Sequence, residues 1–185
     1  MNQIKQEIAS IAAKFVVENG FSYYDAKTKA QELIFLRTGQ KIKKKYLPNN
    51  IELDQAIKKH LMLFFKKEHL ERLTELRKKA KDLMEIIKIF NPILIGSIAN
   101  ETVTRFSDIR VCCFTETTKE IAIALLNKGI NSDACQLKHP LGKGLVEGLN
   151  FIWNNEKINI YALIHIESKT RLRGLKLQDV DKLLF

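Results

Sequence analysis

The sequence predicts an α+β protein in which a helical N-terminal half precedes a half built on a mixed β-sheet. Apolar residues recur at helical spacing up to about residue 90, and from Ile93 they form the short or alternating runs typical of strands. A chain of 185 residues is long enough to bury a core in one domain with a helical extension. We therefore predict a helical, basic domain over residues 1–90 and an α/β domain over residues 91–185.

Four helices are predicted in the first half, because each apolar stripe lies between recognisable start and stop residues. The first helix ends at Gly20. The second begins at Ser22, whose side chain can cap it, and ends at Gly39. Asn50 is the predicted cap of the third helix. The fourth spans about 68–90 and is stopped by the Asn-Pro pair that follows it.

The second half predicts short strands interrupted by one helix. The predicted elements are, in order, a strand at 93–95, a strand at 108–114, a helix opening after Thr117, a strand at 130–137, a hairpin formed by 149–153 and 158–162, and a short final helix. The hairpin predicts an apolar face that covers the core and a polar face that meets solvent or a site. A turn at Asn155-Glu156, or a four-residue loop, predicts Trp153 opposite Ile158 and Ile152 opposite Asn159. The polar face would then hold Asn150, Ile152, Asn154, Lys157, Asn159 and Tyr161.

The net charge of +10 is concentrated in the first half, where 19 Lys and Arg face 11 Asp and Glu. Such a basic half favours an anionic partner such as nucleic acid. Lys43, Lys44 and Lys45 lie in a basic linker and are the predicted nucleic-acid surface. The alternative is that these lysines only solvate exposed helix faces and a loop.

Three cysteines without a CxxC motif predict free thiols, which is typical of a cytoplasmic protein. The N-terminus does not have the basic and apolar pattern of a signal peptide, and no run of eighteen apolar residues occurs. We therefore expect a cytoplasmic protein that does not bind membranes through a spanning segment. The four histidines lack the spacing of metal ligands.

The most informative stretch is the apolar run from Ile93 that enters Gly96-Ser97, followed by Asp108 and Arg110 at the start of a second apolar run. It resembles the signature of the nucleotidyltransferase superfamily, which has the DNA-polymerase-β-like fold. In that signature an apolar residue precedes Gly-Gly or Gly-Ser, and Asp-x-Asp follows after a gap of about ten residues. The order of elements around it is similar to that of small antibiotic nucleotidyltransferases, and the resemblance covers roughly residues 91–165.

The resemblance implies that the Gly-Ser turn lies against a triphosphate and that three carboxylates hold two Mg²⁺ ions. Asp108 matches the first carboxylate. Arg110 stands at the position of the second, and Asn159 stands at the position of the third, between apolar residues on the return strand of the hairpin. A cation at a metal-ligand position repels Mg²⁺ and can pair with Asp108 instead.

The predicted function is therefore that of a catalytically degenerate nucleotidyltransferase-like protein. It would bind a nucleotide, or the phosphate of a nucleic acid, through Gly96, Ser97, Arg110 and Asn159. The first alternative is an active enzyme with one Mg²⁺ on Asp108. The second is a helical module that binds a protein partner, with the α/β domain as its scaffold. Period-two geometry also predicts that Asp108 and Arg110 share one face beside Gly96 and interact.

Overall fold

The computed structural model describes residues 3–142, 144–164 and 172–184. Helices precede a mixed sheet, which confirms the predicted α+β class. The elements are α1 (Gln3–Asn19), α2 (Tyr23–Thr38), α3 (Asn50–Phe64), α4 (Lys66–Ile86), β1 (Ile93–Ile95), β2 (Ile109–Phe114), α5 (Thr118–Leu126), β3 (Asp133–Lys138), β4 (Leu145–Trp153), β5 (Glu156–Leu163), β6 (Leu175–Lys176) and α6 (Leu177–Lys182), with 3-10 turns at Lys44–Tyr46 and Lys88–Phe90. None of the described helices is both long and apolar enough to span a bilayer.

The chain divides into two compact units. The helical unit comprises Met1–Arg72 and Glu101–Phe106, and the sheet unit comprises Leu73–Asn100 and Ser107–Phe185. The division falls inside α4, whereas the sequence places a domain boundary at residue 90. The predicted boundary at residue 90 concerns domains that fold independently, and it stays a prediction.

The helical unit is built on α1, which packs against both α2 and α3. Ser22 caps α2 by accepting the N–H of Asp25, and Gly39 ends it with a left-handed φ of 68°. The cap of α3 is Asn49 rather than the predicted Asn50, because Asn49 and Glu52 exchange side-chain and backbone hydrogen bonds in a capping box. The buried core of the unit is Ile8, Ala12, Ala13, Val16, Val17, Ala26, Ala30, Ile34, Leu53, Ile57 and Leu61.

The segment Glu101–Phe106 belongs to the helical unit although its neighbours in sequence do not. Lys58 forms an ion pair with Glu101 at 3.1 Å. Gly20 lies directly under the ring of Phe106, since a Cβ atom there would come within 2.8 Å of the ring. The same glycine has a φ of 72°, so both the close approach and the backbone conformation require it.

The sheet unit contains six described strands in the order β3-β4-β5-β2-β1-β6. The pair β2–β5 is parallel and the other pairs are antiparallel, which makes the sheet mixed as predicted. Because β2 and β5 are parallel, their N-terminal ends lie side by side, and Arg110 is the direct Cα partner of Asn159.

The predicted register of the hairpin is wrong by two residues. The structure pairs Trp153 with Glu156 and Asn150 with Asn159 around a two-residue turn at Asn154-Asn155. Both turn residues have positive φ, 48° and 63°, which a type I′ turn requires and which asparagine tolerates better than most residues. A shift of two residues leaves every side chain on its predicted face.

The predicted polar face is only partly polar. Tyr161 is buried there, and it packs in an apolar cluster with Ile95, Cys112, Phe114 and Leu163. The hairpin pattern did not indicate this cluster because most of its side chains come from β1 and β2. The polar residues of this face are therefore restricted to the end of the sheet where β2 and β5 begin.

A partly buried ion pair joins α4 to the opposite, apolar face of the sheet. The ammonium group of Lys79 lies 2.6 Å from the carboxylate of Glu156, which is 5% exposed, and 2.7 Å from that of Glu75. Hydrogen bonds to Glu156 and then to Glu75 raise the pKa of Lys79. The charged form of Lys79 therefore stabilises the folded state.

We expect Glu156→Gln to lower the free energy of unfolding by about 1–3 kcal/mol, because it leaves Lys79 without its less exposed partner. Glu75→Gln is the matched control and should cost at most about 0.5 kcal/mol, since the pair of Glu75 with Lys79 spans one helical turn at the surface. Urea denaturation of the three proteins at pH 7 measures both values. Equal losses of unfolding free energy in the two variants would mean that the burial of Glu156 does not strengthen its pair with Lys79.

The same pair predicts a pH dependence of known sign. A raised folded pKa means that the contribution of Lys79 is complete below its unfolded pKa, about 10.4, and is lost as the pH rises through the higher folded value. Native protein should therefore lose more stability than Glu156→Gln between pH 9 and the alkaline limit of folding. Parallel stability curves would contradict the assignment.

Candidate functional site

The turn after β1 brings the backbone close to β2. Gly96 follows the last residue of β1 and has a φ of 76°. A Cβ atom at this position would lie 3.3 Å from Cδ of Arg110, so glycine lets the Arg110 side chain lie across the turn. The carbonyl of Gly96 accepts the N–H of Asn100 at 2.9 Å, which makes the residues after Gly96 a single helical turn.

Asp108 and Arg110 interact beside this turn, as the sequence predicts. Arg110 lies in β2 opposite Ile95, the last residue of β1, and Asp108 comes just before the strand. The Nε–H of Arg110 donates to both oxygens of Asp108, at 2.8 Å and 2.9 Å. The side chain of Asp108 is 17% exposed and that of Arg110 is 48% exposed. The guanidinium therefore covers the carboxylate and faces outward.

Asn159 joins the same group from the neighbouring strand. Its side-chain amide donates to Oδ2 of Asp108 at 2.7 Å. Its own Oδ1 accepts a hydrogen bond from Nδ2 of Asn150, also at 2.7 Å. These bonds fix the orientation of the buried Asn159 amide, since one end donates and the other accepts. The three positions that the resemblance assigns to carboxylates thus converge, and they form one hydrogen-bonded network.

The network has a local charge close to zero, because the carboxylate of Asp108 is balanced by the guanidinium of Arg110. Its inner side borders the apolar cluster at Tyr161. Burial raises the pKa of Tyr161, while Arg110 opposes this shift and Asp108 adds to it. Burial also raises the pKa of Cys112 to about 12. The phenol and the thiol are therefore both protonated at neutral pH and are not nucleophiles there.

The Mg²⁺ ions that the resemblance implies do not fit these residues. Mg²⁺ requires a nearly ideal octahedral set of oxygen ligands, and this site offers one carboxylate whose oxygens already accept three N–H bonds. A metal ion would have to displace the guanidinium and then sit beside a second cation. In the described part of the chain, no group of three or more His, Cys, Asp and Glu side chains could hold a metal ion.

The remaining predicted site residues have different surroundings. Ser97 is partly exposed, and its hydroxyl makes no hydrogen bond to the residues that the structure describes. Lys43, Lys44 and Lys45 lie in the helical unit, in and before a 3-10 turn, and all three are exposed. The ammonium group of Lys45 lies 5.0 Å from the centre of the Tyr46 ring, so this lysine is held over an aromatic face.

Asn150 is the residue of the network that the sequence did not predict. The predicted register placed Ile152 opposite Asn159, which left Asn150 without a role. The signal that would have found it is the Asn154-Asn155 pair, because a type I′ turn there places Asn150 opposite Asn159.

No protein-family model, curated protein sequence or solved structure matches the chain. The resemblance to the nucleotidyltransferase superfamily therefore stays a prediction that rests on the motif and the order of elements.

Proposed function

We propose that the sheet unit is a nucleotidyltransferase-like domain that has lost metal-dependent catalysis and binds a nucleotide through its phosphates. The observation that supports the proposal is that both oxygens of the Asp108 carboxylate accept hydrogen bonds, from Arg110 and from Asn159. The guanidinium occupies the place where a catalytic member of the superfamily would need a second carboxylate, so one fixed positive charge replaces a bound cation.

The groups around the Gly96 turn support phosphate binding. Glycine lets a ligand approach the backbone closely, and the Ser97 hydroxyl is placed to donate a hydrogen bond to an oxygen. The guanidinium of Arg110 presents a planar set of N–H donors that suits a phosphate, and nearly half of its side chain is exposed. Asp108 accepts the Nε–H of Arg110 and so fixes the guanidinium beside the turn.

Replacement of Arg110 tests this proposal. Arg110→Met keeps much of the apolar stem of the side chain and should weaken the binding of ATP at least about tenfold, since a hydrogen bond to a charged group contributes about 1.5–3 kcal/mol. Lys128→Met is the matched control, because it removes one exposed positive charge from the same unit, two residues after α5. Calorimetric titration with ATP measures both affinities.

The control separates a specific site from attraction to a basic protein. Equal weakening by the two substitutions would mean that ATP responds to net charge alone. Unchanged affinity for ATP in Arg110→Met would mean that Arg110 does not bind the phosphates, and it would contradict the proposal.

If the chain binds a nucleic acid, the three exposed lysines of the basic linker in the helical unit contact its phosphates. Replacing Lys43, Lys44 and Lys45 together with glutamate should weaken binding and lower the slope of log K against log salt by about 2–3, because each phosphate contact contributes about 0.9. The loss should be the same for two oligonucleotides of unrelated sequence, since phosphate contacts do not read bases. Binding that is independent of salt would contradict phosphate contacts by these three lysines.

A further inference from the structure

The helical unit contains a pocket that the proposed function does not use. The pocket encloses about 700 Å³, which lies in the range of about 300–1,000 Å³ that is usual for small-molecule sites. Val17, Leu61, Phe65 and Val103 provide its apolar wall. All of its lining residues belong to the helical unit.

A buried histidine supplies a polar atom to this pocket. His69 is 6% exposed, and its Nδ1 lies 2.9 Å from the carbonyl oxygen of Val103. A carbonyl only accepts hydrogen bonds, so Nδ1 carries the proton and Nε2 holds the lone pair when the ring is neutral. Nε2 makes no hydrogen bond to the described residues, and it is not among their fully buried unpaired atoms. It therefore keeps access to open space, and the pocket that His69 lines is that space.

An arginine lies on the same wall. Arg105 uses one N–H of Nη2 to donate to the main-chain oxygen of Glu18 at 3.0 Å. Its guanidinium also lies 4.7 Å from the centre of the Phe106 ring, which fixes its plane. One hydrogen bond leaves four of the five N–H groups of the side chain for other acceptors. A carboxylate in the pocket could accept two of them in parallel.

The acidic residues that line the pocket do not prevent it from binding a carboxylate. The carboxylate of Glu18 lies 3.2 Å from Nε2 of His60, so it already has a partner in the helical unit. Glu68 is exposed in the first turn of α4, where water solvates it. The pocket therefore offers a ligand Nε2 of His69 and the N–H groups of Arg105, and Arg72 adds a second positive residue to its lining.

We propose that this pocket binds an amphipathic carboxylate, with the acid group at Arg105 and His69 and the apolar body against Val17, Leu61 and Phe65. The N–H groups of Arg105 donate to a carboxylate, and Nε2 of the neutral His69 ring accepts a hydrogen bond from an acid group that carries its proton.

Three ligands with one alkyl chain and different head groups test the proposal: octanoate, octanol and octylamine. Calorimetry on the full chain at pH 7 should show octanoate binding at least about tenfold more tightly than octanol, and octylamine most weakly. Equal affinities for octanoate and octanol would mean that the pocket reads only the apolar chain, which would overturn the proposal. The same holds if none of the three binds.

Reversing the charge of Arg105 should create a new binding preference. An unfolded variant could only lose binding, so a gain shows that the variant is folded. Arg105→Glu should lose octanoate and gain octylamine, because the sign of the head-group site is inverted. Lys41→Glu makes the same change of charge at an exposed position of the same unit outside the pocket and should leave the order of the ligands unchanged. An unchanged order in Arg105→Glu, or the same inversion in Lys41→Glu, would overturn the assignment of the acid group to Arg105.

Discussion

Arg110→Asp combined with Asn159→Asp should create a divalent-metal site at the start of β2 and β5. Arg110 and Asn159 are direct partners across the parallel strand pair, and Asp108 already bonds to both side chains. Three carboxylates would therefore converge within coordination distance of one ion. Without metal they repel one another, which should raise their pKa values and destabilise the folded state.

Metal should restore that stability, because an ion that binds only the folded state stabilises it by mass action. At an Mg²⁺ or Mn²⁺ concentration one hundred times the dissociation constant, the gain is about 2.7 kcal/mol, which corresponds to a rise in Tm of about 5–10 °C for a chain of this size. A thermal-shift experiment with and without metal measures it. Arg110→Asn is the matched control, since it removes the guanidinium without adding a carboxylate.

The metal-dependent changes in Tm of the native protein and the variants distinguish a lost metal site from a working one. A shift confined to the double variant is the result we expect. A larger shift in the native protein would mean that its site already binds metal, and the proposal of lost catalysis would be wrong. No shift in any of the proteins would mean that the three side chains do not form a metal site even when all are acidic.

Asp108→Ala should strengthen the binding of ATP by about tenfold, whereas the same change in a metal-dependent enzyme removes a metal ligand. Asp108 neutralises Arg110 and adds a negative charge near the Gly96 turn, so its removal leaves a net positive site. The gain should be accompanied by a loss of about 1–3 kcal/mol in the free energy of unfolding, because the buried amide of Asn159 loses its acceptor.

Calorimetry with ATP and urea denaturation measure the two effects on one variant. Ile121→Val provides a control for general destabilisation, since Ile121 is fully buried in α5 and the loss of one methylene there costs about 0.5–1.5 kcal/mol. Weaker ATP binding in Asp108→Ala would contradict the view that this carboxylate only restrains the guanidinium.

Local sequence rules predicted much of the sheet unit and the convergence of the site. Asp108 and Arg110 are two residues apart at the start of a strand, so period-two geometry alone placed them on one face. The glycine after β1 predicted the close turn. The pairing of Arg110 with Asn159 followed from the resemblance, which matched both residues to positions of one ancestral carboxylate set.

The register of the hairpin required information that the pattern does not contain. Four polar residues, 154–157, separate the two apolar runs in the sequence, and several turns satisfy the alternation of apolar residues. The type I′ conformation of Asn154-Asn155 decides between them, and with it the contact between Asn150 and Asn159. The alternation of apolar and polar residues cannot distinguish two registers that differ by two residues, because both registers bury the same side chains.

Two other features depend on tertiary contacts. The apolar stripe of α4 shows that the helix is buried on one side but not which core it joins, so the division of α4 between two compact units could not be predicted. The segment Glu101–Phe106 has no periodic pattern, and its place in the helical unit depends on contacts with Gly20, Lys58 and His69.

The central claim is that Arg110 takes the place of a metal ion in binding phosphate. Titration of the native protein with ATP, once in excess Mg²⁺ and once in excess EDTA, tests it most directly. We expect the two affinities to agree within about threefold, a difference of less than about 0.7 kcal/mol, because no bound cation contributes to the site. Binding that requires Mg²⁺ and disappears in EDTA would contradict this account and would favour an active metal-dependent enzyme.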